Sequence, residues 1–156
     1  MAENTPPITG GCRCGAVRYE VTGKPRNVAY CHCTDCRGYS GAPAMVWVAF
    51  KSEQVQFLRE RPKTYESSPG VEWGFCSVCG TSLIWEASLA KFGGEDVKIT
   101  EFTISSLDRP EDFIPDQHWY DGERIPWFDV ADDLPRFHKL RFEGAQPTRR
   151  GPLVGA

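Results

Sequence analysis

Seven cysteines stand in three groups along the chain, and their spacing constrains the fold more than any other feature. Cys31, Cys33 and Cys36 fall within six consecutive residues, while the other four form pairs, Cys12/Cys14 upstream and Cys76/Cys79 downstream. Seven is odd, so an all-disulfide scheme leaves one thiol over. The opening stretch, Met1 to Gly11, is polar and has neither a basic n-region nor an apolar h-region, so no secretory leader is expected. The expected compartment is cytoplasmic, where thiols stay reduced. Clustered thiols in such a compartment point to metal binding or catalysis.

The chemistry of each group follows from its spacing. On an extended backbone the thiols of Cys12-x-Cys14 share one face, because strand side chains alternate. Cys76-x-x-Cys79, followed by Gly80, reads as a hairpin knuckle that offers two thiolates to neighbouring corners of a tetrahedron. Together the two pairs complete a four-sulfur site suited to zinc, with iron the main competitor. Such a closed site would supply folding free energy. Cys31-x-Cys33-x-x-Cys36 combines both spacings and supplies three ligands, one short of a tetrahedron. A catalytic zinc keeps a fourth position open for water or substrate. With three thiolates around it, that position favours a thiol substrate held as its thiolate.

Spacing alone leaves other allocations open. Cys33/Cys36 and Cys76/Cys79 together make a single zinc-ribbon site. A histidine completing the central triplet makes two structural sites. His32 lies between Cys31 and Cys33 and on a strand points away from both. His118 lies in an aromatic stretch from which it can reach the open site, or simply pack. His138 sits among charged residues and reads as exposed. Arg37, beside Cys36, is placed to meet a substrate carboxylate or to sit in a solvated ion pair, and Arg13 and Arg18 share that ambiguity.

At 156 residues, with 40% hydrophobic and 25% charged content, the chain can bury a real core as one domain. The expected layout is a flexible arm over 1–9, a zinc-binding catalytic domain over 10–143 and a flexible tail over 144–156. A net charge of −3 supports neither a nucleic-acid partner nor a membrane surface, and no stretch nears the roughly 18 apolar residues of a bilayer span. Twelve prolines and fifteen glycines favour short elements and many turns. Strands are expected over 16–21, 27–30, 44–50, 55–58, 64–65, 71–75, 82–85 and 96–105, with a helical turn from Thr34 that stops by Gly41. The stretch from Pro115 to Phe142 reads as irregular loop whose aromatics cover a sheet.

Three stretches together, Gly10-Gly-Cys-Arg-Cys-Gly-Ala-Val-Arg-Tyr19, Cys31-His-Cys-Thr-Asp-Cys-Arg37 and Phe75-Cys-Ser-Val-Cys-Gly-Thr81, resemble the glutathione-dependent formaldehyde-activating enzyme family. That family also takes in centromere protein V-like proteins. The resemblance extends weakly to Ser105–Pro110 and Pro126-Trp127. It implies a mainly β fold of the β-tent type, with short antiparallel strands around two zinc ions. It implies a structural zinc on Cys12, Cys14, Cys76 and Cys79 and a catalytic zinc on Cys31, Cys33 and Cys36. It further implies a carbon–sulfur lyase that joins glutathione to formaldehyde. No motif designates the glutathione contacts or an oligomeric state. A zinc-stabilised binding module without catalysis and a zinc-thiolate redox sensor are the competing functions.

The four-plus-three division predicts two zinc ions per chain. Elemental analysis of the purified protein should return two, and a single ion would overturn the division.

Overall fold

The computed structural model describes residues 6–141 and 144–151. The fold is mainly β. In chain order the elements are β1 (Ile8–Gly11), β2 (Arg18–Val21), β3 (Asn27–Cys31), α1 (Thr34–Ser40), β4 (Met45–Lys51), β5 (Val55–Phe57), β6 (Lys63–Ser68), β7 (Val71–Phe75), β8 (Ser82–Ser88), β9 (Lys98–Thr103), β10 (Gln117–Trp119), β11 (Pro135–Arg136) and β12 (Arg149–Arg150), with short 3-10 turns between several of them. Among the described residues no helix is long and apolar enough to cross a membrane.

The chain divides into two compact units. The first takes in the described residues up to Arg26 together with Val48–Phe113; the second takes in Asn27–Trp47 and the described residues from Ile114 onward. In the first unit β1, β2 and β5 form an antiparallel ribbon. Strands β6, β7, β8 and β9 form an antiparallel meander. Tyr19, Phe50, Leu83, Ile84, Ile99 and Phe102 are fully buried in this unit. The Tyr19 ring stacks on Phe102 at 3.8 Å between centroids, and its hydroxyl is satisfied by Ser106 Oγ at 2.7 Å. Gly10 has to be glycine here, because a Cβ would stand 2.3 Å from the Tyr19 hydroxyl oxygen.

The second unit departs from an all-antiparallel pattern. Strand β10 pairs in parallel with β3, setting Gln117, His118 and Trp119 against Ala29, Tyr30 and Cys31. It also pairs in parallel with β11 through His118 and Arg136, and β12 closes onto β11 antiparallel. The stretch read from sequence as loop therefore supplies a strand whose three residues are all buried. Trp119 and Phe137 pack with Ala29 in one core cluster. Trp127 lies outside it, 75% exposed. Strands of two or three residues are too short to leave a periodic pattern, and the β3 partner lies far away in sequence.

The ends of the chain also carry structure. Ile8 and Thr9, in the expected arm, belong to β1, and β12 lies in the expected tail, where Arg149 Nε and Nη2 donate to Asp121 at 2.8 and 2.7 Å. Residues 1–5 and 152–156 of those two segments lie outside the described residues.

Trp119 is 3% exposed. Trp119→Ala should cost about 3–5 kcal/mol of unfolding free energy, because it removes a large buried ring from a small core. Urea titration followed by far-UV circular dichroism checks this.

Candidate metal centres

The first unit builds a four-sulfur cluster from two turns. Strand β1 ends at Gly11, and the chain then folds back: Gly15 N–H donates to the Cys12 carbonyl at 3.1 Å, with Gly15 at φ +80°. The Cys12 and Cys14 sulfurs therefore converge through a turn and not through strand alternation. The difference comes from Gly15, whose left-handed backbone reverses the chain at little cost. The second pair sits in the β7–β8 connection, as expected for a knuckle. Gly80 N–H donates to the Cys76 carbonyl at 2.9 Å, with Gly80 at φ +73°. The backbone N–H groups of Val78 and Cys79 point at Cys76 Sγ, 3.4 and 3.5 Å away, and Val17 N–H donates to Cys12 Sγ at 3.2 Å. Such donors favour the ionised sulfur.

Cys12 and Cys14 sulfurs lie 3.5 Å apart, and those of Cys14 and Cys76 lie 3.8 Å apart. Sulfurs about 2.3 Å from a common centre stand about 3.8 Å from one another in a tetrahedron. The spacing thus fits a metal ion held by all four. Cys79 receives the Thr81 hydroxyl at 3.0 Å, which brings its thiol down to about 5. Cys12 and Cys76 are buried, Cys14 and Cys79 exposed.

The three-sulfur cluster belongs wholly to the second unit. Cys31 ends β3, Cys33 caps α1 with an extended backbone, and Cys36 sits in the first helical turn. Alternation brings Cys31 and Cys33 sulfurs to 3.5 Å, and Cys36 N–H donates to Cys33 Sγ at 3.3 Å. Gly41 stops the helix in the left-handed conformation, its N–H bonded to the Arg37 carbonyl. The Trp47 indole N–H donates to Cys36 Sγ at 3.3 Å. All three sulfurs lie within 4.8 Å of one another, the span of a single ion's ligands. Cys31 and Cys36 are buried, whereas Cys33 is only half-buried, so the cluster is most open on the Cys33 side.

The charge in this cluster is directed. Hydrogen bonds from the Cys31 and Cys36 thiols, helped by the backbone N–H groups of Cys36 and Asp35, lower the Cys33 thiol to about 3 despite its burial. Cys31 moves the opposite way, because it shares its proton with Cys33 and Cys36 and is buried. The phenol of Tyr120 is pushed up to about 12, first by burial and then by the negative fields of Cys31 and Cys33. Tyr120 is also the one described non-glycine residue at positive φ, +54°.

Around the cluster, Glu123 accepts from the Thr34 backbone N–H at 2.9 Å and from its hydroxyl at 3.2 Å, and Arg37 Nη2 donates to the same hydroxyl at 3.2 Å. Neither His32 nor His118 joins the sulfurs. Both are fully buried, and His32 Nε2 lies 2.8 Å from His118 Nδ1. His118 Nε2 lies 3.0 Å from Asp132 Oδ2. Burial, reinforced by the neighbouring His118, brings His32 down to about 4, so its imidazole is neutral at pH 7. His138 is exposed as expected, and Arg18 forms an ion pair with Asp108. Sequence reasoning missed Trp47, Glu123 and Asp132. The first two carry no local signal, while Asp132, in an acidic run four residues before Arg136, carries a faint one.

A model of the family described as glutathione-dependent formaldehyde-activating enzyme matches residues 7–123. The chain belongs to this family. The matched span contains all seven cysteines and both clusters. No curated protein sequence matches the chain. Among solved structures, the crystal structure of a Rhodobacter sphaeroides protein is similar over 69% of this chain and 97% of its own, with a TM-score of 0.52 and 21% sequence identity. That likeness shows a shared fold.

Trp47→Phe keeps an aromatic ring and removes only the N–H that reaches Cys36. The expected outcome is an intact fold and about tenfold weaker metal binding at the three-cysteine cluster, the scale of one hydrogen bond to a charged acceptor. Competition against a chromophoric chelator measures it.

Proposed function

We propose that this protein is a zinc-dependent carbon–sulfur lyase that joins the thiol of glutathione to formaldehyde, giving S-(hydroxymethyl)glutathione, or reverses that addition. The observation that carries this reading is a cluster of three cysteine sulfurs, one short of a tetrahedron, beside a complete four-sulfur cluster in a chain of this family. Cys12, Cys14, Cys76 and Cys79 would hold one zinc as a structural ion, and Cys31, Cys33 and Cys36 would hold the catalytic one. A zinc ion bound at the second cluster would supply a soft Lewis-acid position that keeps a substrate thiol ionised at neutral pH.

The protein's own groups do the rest. Trp47 and the Cys36 backbone N–H donate to the sulfurs and temper their charge. Cys33 stands on the accessible side, so the substrate sulfur approaches past it. We assign Arg37, which follows Cys36 directly and whose Nη2 reaches the Thr34 hydroxyl at 3.2 Å, to a glutathione carboxylate. In the reaction the C–S bond forms as the C=O π bond breaks. The thiol proton ends on the former carbonyl oxygen, so no electron donor or acceptor is needed. The setting proposed for this chemistry is the cytoplasm, where thiols stay reduced.

Calorimetry should show glutathione binding at millimolar concentration to the zinc-loaded protein, and absence of heat there removes the named reaction. Cys33→Ser should lower the rate of adduct formation toward that of the spontaneous addition while leaving the fold intact, whereas Cys79→Ser should lose the fold. Equal unfolding by both favours two structural sites and a binding module without catalysis.

A further inference from the structure

The second unit contains a chain of polar side chains, two buried histidines and a half-buried aspartate, that the proposed reaction does not use. It runs from Asp132 through His118 to His32. Asp132 Oδ1 accepts from Arg136 Nη1 at 2.9 Å and from the Leu134 backbone N–H at 3.0 Å, while its Oδ2 faces His118 Nε2 at 3.0 Å. A carboxylate only accepts, so His118 carries its proton on Nε2. Its Nδ1 is then an acceptor, and His32 must carry its proton on Nε2, 2.8 Å away. The direction of every hydrogen bond in the chain is thereby set from Asp132. At the far end His32 Nδ1 is buried and has no partner among the described residues. Among the described residues His118 therefore makes the one hydrogen bond to the His32 ring.

His32 is the middle residue of Cys31-x-Cys33. On an extended backbone its side chain leaves on the face opposite the two sulfurs, and any rotation about residue 32 swings the two cysteines apart. Its backbone is tied as well: His32 N–H donates to the Trp119 carbonyl at 3.1 Å, in continuation of the β3–β10 pairing. The His118 ring is itself fixed, stacked on Tyr30 at 4.6 Å between centroids and 13° between planes. Three thiolates gathered at one ion repel one another, so a cluster that is to bind tightly must be held together beforehand. A hydrogen-bond chain running through two buried histidines, anchored on the one residue between two of the ligands, does that.

We propose that Asp132, His118 and His32 form a positioning chain that sets the Cys31 and Cys33 thiols for metal binding. These are positioning residues and not ligands, and the proposal rests on the reading of the three-cysteine cluster as a metal site. The supporting rule is that groups orienting metal ligands contribute about 10–100-fold in affinity.

The test uses the full chain and two substitutions of His118. His118→Phe keeps a ring against Tyr30 but gives His32 nothing to donate to. His118→Asn puts an amide oxygen where Nδ1 stands and restores the acceptor. Zinc affinity is read by competition with a chromophoric chelator, and the ligand field of the three-cysteine site by the visible spectrum of the cobalt-substituted protein. The four-cysteine site serves as the internal reference. His118→Phe should bind one of its two ions about 10–100-fold more weakly and shift the cobalt spectrum of that ion, with the other ion unchanged. His118→Asn should keep the wild-type affinity and spectrum.

Unchanged binding in His118→Phe overturns the proposal, as does equal weakening in both variants. If His118→Phe fails to fold, Asp132→Asn decides. Its amide N–H₂ facing His118 Nε2 reverses the proton order of the chain, so folded protein should show weaker binding at one ion and a changed histidine tautomer in ¹⁵N NMR. Wild-type affinity in that variant overturns the proposal. A wild-type protein that binds a single ion would instead remove the metal reading on which the proposal stands.

Discussion

Convergence of sulfur atoms is the constraint on which this structure depends. Two thiolates 3.5 Å apart repel by about 4–5 kcal/mol at an effective dielectric of ~20, so bringing three or four together is unfavourable unless the backbone pays part of the cost in advance. The chain does so locally. Glycines at left-handed positions, Gly15 and Gly80, reverse the backbone next to a cysteine, and backbone N–H groups from Val17, Val78 and Cys79 point at sulfur. In the second unit the helix cap at Cys33 and the Trp47 indole do the same. Each cluster is assembled within a single unit and depends on turns, caps and short strands, which explains why the elements around them are so short.

The second unit meets a different physical problem, a fully buried arginine. Arg136 lies among Asp121, Asp129 and Asp132, at 3.9, 3.3 and 2.9 Å, and also donates to the Val130 and Leu134 carbonyls at 2.8 and 2.9 Å. Isolated burial of such a charge would cost several kcal/mol, and a set of carboxylates with additional hydrogen bonds offsets it. The same carboxylates fasten other parts of the unit. Asp121 takes Arg149 from β12, and Asp132 takes His118 from β10. Segments with little regular structure are thus ordered by charge pairing, with Trp119 and Phe137 supplying the apolar core beneath.

Much of the first unit was legible from alternation of apolar and polar residues. Strands β2, β7, β8 and β9 fall where that pattern placed them, and the Cys76-x-x-Cys79-Gly80 knuckle follows from its glycine. The short helix was legible too, since Thr34-Asp35 opens it and Gly41 ends it. Strands β10, β11 and β12 were not. Their two or three residues carry no period, and their pairing is decided by partners remote in sequence. The histidines show the same divide. His32 could be turned away from the sulfurs by counting residues along a strand, but its hydrogen-bonded partner is 86 residues distant.

The sequence by itself determined the supply of sulfurs: seven cysteines in groups of two, three and two, at spacings that turns and caps convert into neighbours. That is local chemistry, set by residues within a few positions of each other. Tertiary structure decided what local chemistry cannot, namely which groups meet. It joined the outer pairs into one set of four and left Cys31, Cys33 and Cys36 as a set of three. It also placed Trp47 on a sulfur and a histidine chain behind the Cys31–Cys33 link. These contacts close loops of tens of residues, and the burial and hydrogen bonding that offset their entropy exist only in the assembled fold.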